Sequence, residues 1–383
     1  MWLPVEQLLS QADSLAVKFE QGGETHYIDE AIVLDREALD ICIPSHPQRP
    51  ACLNQLSLHI CTRYDRLGGM MQVNEAIVLD REALSLLPPG HPNQSASLNN
   101  LAAHLGTRYN QLGGVEDLNE AIVLSREVLA LRPQGHPGRS MSLNNLAVHL
   151  WTRYNQLGRV EDLNEAIVLN RQALALRTPG HPDRSMSLNN LALHLWTRYN
   201  RLGGVEDLNE AIILNRQALP LLQPGHPNRA MSLNNLTVHL LTRYNQLGGV
   251  EDLNEAIVLD RQALALLQPG HPNRFMPLNN LALHLWARYN RLGGVEDLNE
   301  AIILDREALP LLQPGHPNRA MSLNNLAVHL WTRYNQLGRV EDLNEPIVLN
   351  RKALALLPPG HPDRAISLKN LACHLSIRYK QVG

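Results

Sequence analysis

Residues 136–180 read HPGRSMSLNNLAVHLWTRYNQLGRVEDLNEAIVLNRQALALRTPG, and this stretch decides the fold. In its first half Leu143, Leu146, Ala147, Leu150, Tyr154 and Leu157 fall three, one, three, four and three residues apart. That is the trace of one helical face. It predicts a helix A from about Pro137–Met141 to about Leu157. Pro137 suits a first turn, where a missing N–H has no partner to lose. Gly158 suits the left-handed position just past a helix end. In the second half Leu163, Ala166, Ile167, Leu169, Ala173, Leu174 and Leu176 again recur near the helical period. They predict a helix B from about Val160 to about Ala175. Glu161 and Asp162 lie in its first turn, where negative charge favours the helix dipole. Thr178-Pro179-Gly180 stops it. No run of alternating β-branched residues calls for a strand.

The motif His-Pro stands at His46, His91, His136, His181, His226, His271, His316 and His361, each 45 residues after the last. A fixed period of this size signals stacked units and overrides a domain count taken from length. One hairpin cannot bury two apolar faces, but stacking buries them against neighbours. The expected fold is all-α, a right-handed α-solenoid of stacked helical hairpins with 45-residue repeats. Residues 1–45 fit the frame poorly and read as a divergent capping repeat, with Phe19 at the tyrosine place and Ala31-Ile32 at that of Ala166-Ile167. Seven repeats fill residues 46–360, and residues 361–383 are a half repeat with helix A only. Lys369, Ser376 and Lys380 add polarity there, so this end reads either as a polar cap or as a cut through a longer array.

Small residues mark close backbone approach. Helix A carries Ala102, Ala147, Ala192, Ala282, Ala327 and Ala372 in one column, with Ser57 and Thr237 as exceptions. Helix B carries Ala31, Ala76, Ala121, Ala166, Ala211, Ala256 and Ala301, and a second column from Ala38 to Ala353. Pro346 replaces the first of these alanines and predicts a kink or a later helix start. Pro220 and Pro310 predict that helix B ends early in their units. Pro272 and Pro277 predict a late start for one helix A.

Bulk composition excludes several classes. Hydrophobic residues are 44% and charged residues 19%, which suits a folded chain. A net charge of −3 supplies no positive field for a phosphate backbone, so no nucleic-acid partner is expected. Cys42, Cys52, Cys61 and Cys373 form no CxxC pair and read as reduced core residues of a cytoplasmic protein. The start, Met1 to Glu6, lacks a basic region and a long apolar run, so no signal peptide is expected. No stretch of 18 apolar residues calls for a membrane span.

The unit resembles a tetratricopeptide (TPR) repeat. The TPR positions fall on Leu143, Leu146, Ala147, Leu150, Ala166, Asn170 and Pro179. Hydrophobic, small and proline classes match, while the aromatic identities do not and Asn170 departs. The unit is eleven residues longer than the roughly 34-residue pattern. Leu143-Asn144-Asn145-Leu146-Ala147 and Gly180-His181-Pro182 are similar to the kinesin-light-chain type of TPR. They are most similar to long fungal arrays that often precede a caspase-like CHAT peptidase domain. The resemblance implies a non-catalytic scaffold that binds a protein or peptide in a groove lined by helix A. Its alternative implication is the sensor arm of a longer CHAT-type peptidase.

Carried onto this sequence, the groove stripe is Asn144, Val148, Trp151 and Asn155. The asparagine column Asn54, Asn99, Asn144, Asn189, Asn234, Asn279 and Asn324 offers donor and acceptor together, suited either to a peptide backbone or to bonds between helices. Trp151, Trp196, Trp286 and Trp331 share a column with Cys61, Gly106, Leu241 and Ser376, the most variable one between units. They read as binding anchors or as packing against the adjacent helix A. The turn histidines are expected to stabilise the turn, and the column His59 to His374 to be hydrogen-bonded. Zinc needs its ligands about 2 Å from one point, so histidines a repeat apart predict no metal, and no cofactor is expected. Arg63 to Arg378, one per unit, are expected to pair with helix B acids such as Glu161 or Glu165. No GxSxG, HExxH, P-loop or dinucleotide fingerprint occurs, so no enzyme is expected.

Overall fold

The computed structural model describes residues 4–68, 70–226, 228–338 and 341–382. These residues form 17 α-helices and three short 3-10 turns, and no strand among the described residues. They group into two compact units, Met1–His181 and Pro182–Gly383. The first holds α1 (Val5–Gly22), α2 (Thr25–Ile41), α3 (Arg49–Leu67), α4 (Met70–Ser85), α5 (Gln94–Leu112), α6 (Val115–Leu131), α7 (Arg139–Leu157) and α8 (Val160–Leu176). The second holds α9 (Arg184–Leu202), α10 (Val205–Ala218), α11 (Arg229–Leu247), α12 (Val250–Ala265), α13 (Phe275–Leu292), α14 (Val295–Ala308), α15 (Arg319–Leu337), α16 (Glu341–Leu356) and α17 (Pro362–Val382).

In each unit the odd and even helices pair as hairpins, and each even helix also packs on the odd helix that follows it. The core is therefore shared between neighbours. One cluster joins Tyr109, Leu118 and Ile122 of one hairpin to Leu143, Leu146, Ala147, Leu150 and Ala173 of the next. The helix B alanines, Ala31 through Ala301, are all fully buried, as close backbone approach requires.

Local chemistry explains the element ends. Gly158 takes φ 70° and its N–H bonds the Tyr154 carbonyl at 2.7 Å, closing α7. Helix A begins at Arg139, two residues later than Pro137, because His136 to Arg139 form a turn. In that turn the Gly138 N–H donates to His136 Nδ1 at 3.1 Å. Equivalent bonds reach His46, His91, His226, His271, His316 and His361, so the turn histidines stabilise the turn as expected. The arginine that follows caps the preceding helix B: Arg274 Nη1 donates to the carbonyls of Leu264 at 3.1 Å and Leu267 at 2.8 Å. These are orphan carbonyls of a helix C-terminus.

The prolines act largely as read. Pro220 and Pro310 shorten α10 and α14 to 14 residues, each followed by a 3-10 turn, against 17 residues in α8. Pro272 opens a 3-10 turn, and α13 starts one residue later than its counterparts, at Phe275. Helix α16 runs from Glu341 through Pro346 to Leu356. Residues 339–340, where an earlier start would fall, lie outside the described residues. An interior proline removes one helical bond and crowds the preceding turn, at about 3 kcal/mol. Pro346→Ala is therefore expected to stabilise the chain by up to about 3 kcal/mol. A rise in the urea midpoint checks this, and an unchanged midpoint would count against it.

The arginine column pairs with helix B acids as expected, but through an aspartate rather than the two expected glutamates. Arg153 grips Asp162 with both Nε (2.8 Å) and Nη2 (2.7 Å), and its Nη1 reaches Asn119 of the preceding helix B. Neither Glu161 nor Glu165 is its partner; Glu165 is held by Arg126 across two helices B. Arg108, Arg243, Arg288 and Arg333 repeat the grip on Asp117, Asp252, Asp297 and Asp342. The reason is angular: Asp162 alone faces α7, while its neighbours in the turn point elsewhere. Cys42, Cys52 and Cys61 are buried as read, but Cys373 is exposed, since it follows the small-residue column by one position on α17.

Candidate functional site

The asparagine column turns inward. Asn144 is 1% exposed, and Asn189, Asn234, Asn279 and Asn324 are likewise buried. Their amides reach the serine of the next helix A: Asn54 Nδ2 to Ser97 Oγ at 2.7 Å, Asn189 to Ser232 at 2.5 Å, Asn324 to Ser367 at 2.7 Å. Their carbonyl oxygens take further inward bonds where a donor is present. Asn99 accepts from Asn145 at 3.1 Å, Asn189 from Asn215 at 3.0 Å, and Asn279 from Asn325 at 3.2 Å. In the described geometry this column ties neighbouring helices together.

Val148 is exposed, and Trp151, Trp196, Trp286 and Trp331 are partly buried. Trp196 Nε1 donates to Thr242 Oγ1 at 3.1 Å, and Trp286 Nε1 to Thr332 Oγ1 at 3.2 Å. The rings lie against the histidines of the next repeat, Trp196 on His239 and Trp286 on His329, both at 5.4 Å between centroids.

The outer stripe of α7 is Met141, Asn145, Val148 and Thr152, at helical spacings of four, three and four, with Met141 and Val148 exposed and Asn145 and Thr152 half-buried. It is one residue round the helix from the expected stripe and shares Val148 with it. The stripe recurs in the second unit as Met231, Asn235, Val238 and Thr242. Met141, Met186, Met231, Met276 and Met321 are all exposed, and they are five of the eight methionines in the chain. Sequence reasoning missed this column, although that concentration of one residue type was its signal.

The histidines of helix A are buried and meet helix B. His59 bonds Asp35 at 2.6 Å, His104 bonds Asp80 at 2.6 Å, His284 bonds Asp260 at 2.5 Å and His329 bonds Asp305 at 2.6 Å. Burial pushes the Asp35, Asp260 and Asp305 carboxyls above the usual carboxylate range, against the pull of their histidines. His149 meets Ser125 instead, and His374 meets Asn350. Burial holds His149 down to about 4 and His194 and His239 to about 3. Among the described residues no group of three or more His, Cys, Asp or Glu side chains converges as a metal site would need.

Hairpins of two helices, a 45-residue period and a core passed from each hairpin to the next make a stacked α-helical repeat. The fold is a TPR-like stack of helical hairpins. No protein-family model matches the chain, and no curated protein does. Among solved structures it is similar to a kinesin light chain-like protein of Podosopora anserina with nearly identical TPR-like repeats. Two structures of that protein give 24% and 26% identity, covering 58% and 57% of this chain and 97% and 98% of theirs, with TM-scores of 0.42 and 0.41. BtubC from P. vanneervenii is 17% identical over 64% of this chain and 92% of its own, with a TM-score of 0.44. YrrB, a TPR protein with an unusual peptide-binding site, is 17% identical over 57% of this chain and 89% of its own, with a TM-score of 0.36.

The opposite face of the TPR-like units is a ladder of charges. Arg36, Arg81 and Arg126 pair with Glu75, Glu120 and Glu165, and Arg216, Arg261 and Arg306 pair with Glu255, Glu300 and Glu345. These charges are spent on one another, and between them the helix B face exposes an apolar column, Val78, Val123, Val168, Ile213, Val258 and Ile303. No helix among the described residues is long and apolar enough to cross a membrane.

Proposed function

We propose that this TPR-like array is a non-catalytic scaffold that binds a protein or peptide along the exposed face of helix A. The observation that carries the reading is the stripe Met141, Asn145, Val148 and Thr152 with its recurrences. Thioethers are flexible and polarisable and adapt to varied apolar side chains. Amide and hydroxyl groups between them suit an extended backbone, which presents donor and acceptor alternately. Stacked repeats set such groups in rows, so one segment meets the same chemistry again at each hairpin.

In this reading Val148 and the edges of Trp151, Trp196, Trp286 and Trp331 touch the ligand. Asn99, Asn144, Asn189, Asn234, Asn279 and Asn324 hold the helices that present them. With a net charge of −3, recognition rests on shape and apolar contact rather than long-range steering.

The test is a displayed random-peptide library panned on the wild-type chain and on the variant Met141→Lys, Met231→Lys, Met321→Lys, all exposed positions of the stripe. Wild type is expected to enrich a peptide family that the variant binds at least about tenfold more weakly. Surface changes of this kind cost within about 0.5 kcal/mol each, so circular dichroism and the melting curve should stay in place. Equal binding by a folded variant would remove helix A's outer stripe as the site.

A further inference from the structure

Four members of the tryptophan column lack the ring, Cys61, Gly106, Leu241 and Ser376, and at Gly106 no side chain takes its place while the groups that receive the ring elsewhere are still present. In two repeats an indole N–H reaches a threonine oxygen of the next helix A, Thr242 or Thr332. Those hydroxyls donate their own proton to Val238 and Val328 carbonyls, each at 2.8 Å, which leaves the oxygen to accept. Gly106 on α5 stands in the same column. Facing it on α7 are His149 and Thr152, the counterparts of His239 and Thr242. The Thr152 hydroxyl donates to the Val148 carbonyl at 2.8 Å, so its oxygen is an acceptor in the same pose.

The space beside Gly106 is a cavity of about 220 Å³, walled by Ala103, Asn110, Leu118, Val148, His149 and Thr152. It exceeds the roughly 150 Å³ of an apolar cavity that takes up benzene. His149 leans partly into it, with Nε2 3.0 Å from where a Cβ on residue 106 would stand. Ala103, Leu118 and Val148 give an apolar wall, and Thr152 offers an acceptor oxygen in the pose that Thr242 and Thr332 offer an indole N–H, while Thr107, Asn110 and Asn145 line the rest.

We propose that this cavity is a binding site for an indole ring, which would repeat at Gly106 the contacts that Trp196 and Trp286 make within the second unit. The ring comes either from a free indole compound or from a tryptophan side chain of a bound segment. The inference deepens the peptide-binding reading by naming a side chain that the helix A face takes, and it is tested apart from it.

The experiment titrates the full chain with indole by calorimetry, with indene as the ring lacking the N–H. Indole is expected to bind at one saturable site, and indene at least about fivefold more weakly, as the loss of one hydrogen bond implies. Gly106→Trp is expected to abolish binding by filling the space. Gly106→Leu, which installs the residue found in this column at Leu241, gives the same reading if the larger ring disturbs folding. Absence of saturable indole binding, or binding undiminished in both variants, overturns the proposal. Competition by N-acetyl-tryptophan amide assigns the ring to a peptide side chain. Competition by free indole compounds alone assigns it to a small molecule, in which case the site stands and the peptide reading rests on its own library test.

Discussion

Acidification from pH 7 to pH 5 is expected to cost the chain about 6 kcal/mol through three buried imidazoles. His149, His194 and His239 are buried, and burial holds them to about 4, about 3 and about 3. An unfolded histidine takes its proton near pH 6.5. Between that value and the folded one, the unfolded chain binds more protons than the fold. Stability therefore rises with pH across this window and is lost as pH falls below about 6.5. At pH 5 the gap is about 1.5 pH units for each group, or about 2 kcal/mol apiece.

The contrast with the other repeats is chemical. His149 faces the neutral Ser125 at 3.1 Å, and His239 Nδ1 has no hydrogen-bond partner. His59, His104, His284 and His329 each have a carboxylate. The raised carboxyls of Asp35, Asp260 and Asp305 act with the opposite sign. They bind protons more readily in the fold than unfolded, so they offset part of the loss as pH falls. Urea midpoints measured from pH 7 to pH 5 check the slope. His239→Gln is expected to remove about 2 kcal/mol of the loss, and His374, held to about 4 by burial beside Asn350, adds to the same slope. A flat profile over that range would show that these imidazoles are not buried neutral.

Asp80→Ala is expected to destabilise the first unit by about 3–5 kcal/mol, the range for breaking a buried pair. The Asp80 carboxylate is fully buried and both oxygens are used. Ser57 Oγ donates to Oδ1 at 2.5 Å and His104 Nδ1 bonds Oδ2 at 2.6 Å. Alanine strands a hydroxyl and an imidazole in the core among α3, α4 and α5, and it leaves a void. Asp80→Asn should cost only about 1 kcal/mol, because an amide can still serve both partners. The chain already makes this exchange: Asn350 holds His374 at 2.9 Å in the same columns. Chemical denaturation of both variants checks the pair of values. Similar losses for alanine and asparagine would show that the charge itself, rather than the hydrogen bonds, holds the site.

Legibility followed the range of the interaction. Helix limits, hairpins and stacking could be read because a 3.6-residue apolar period and a 45-residue repeat are local and redundant. The proline effects at Pro220, Pro310 and Pro272 could be read for the same reason, since a missing N–H acts within its own turn. The partner of Arg153 could not. Glu161, Asp162 and Glu165 all lie within about one turn, and only the packing of α8 on α7 selects Asp162.

By itself the sequence determined an all-α stack of TPR-like hairpins, the small-residue columns that let its backbones approach, and the turn histidines between units. Each follows from spacing along one helix or one period. Only the tertiary structure decided which side of helix A meets water. Asn144 and Asn145 are the same residue type, about 100° apart round one helix. Burying an asparagine is tolerated only where a partner waits, and the serines that receive this column stand 43 residues further along the chain. The same holds at Gly106: the missing ring is plain in the sequence, but whether its place closes or stays open depends on how His149 and Thr152 settle around it.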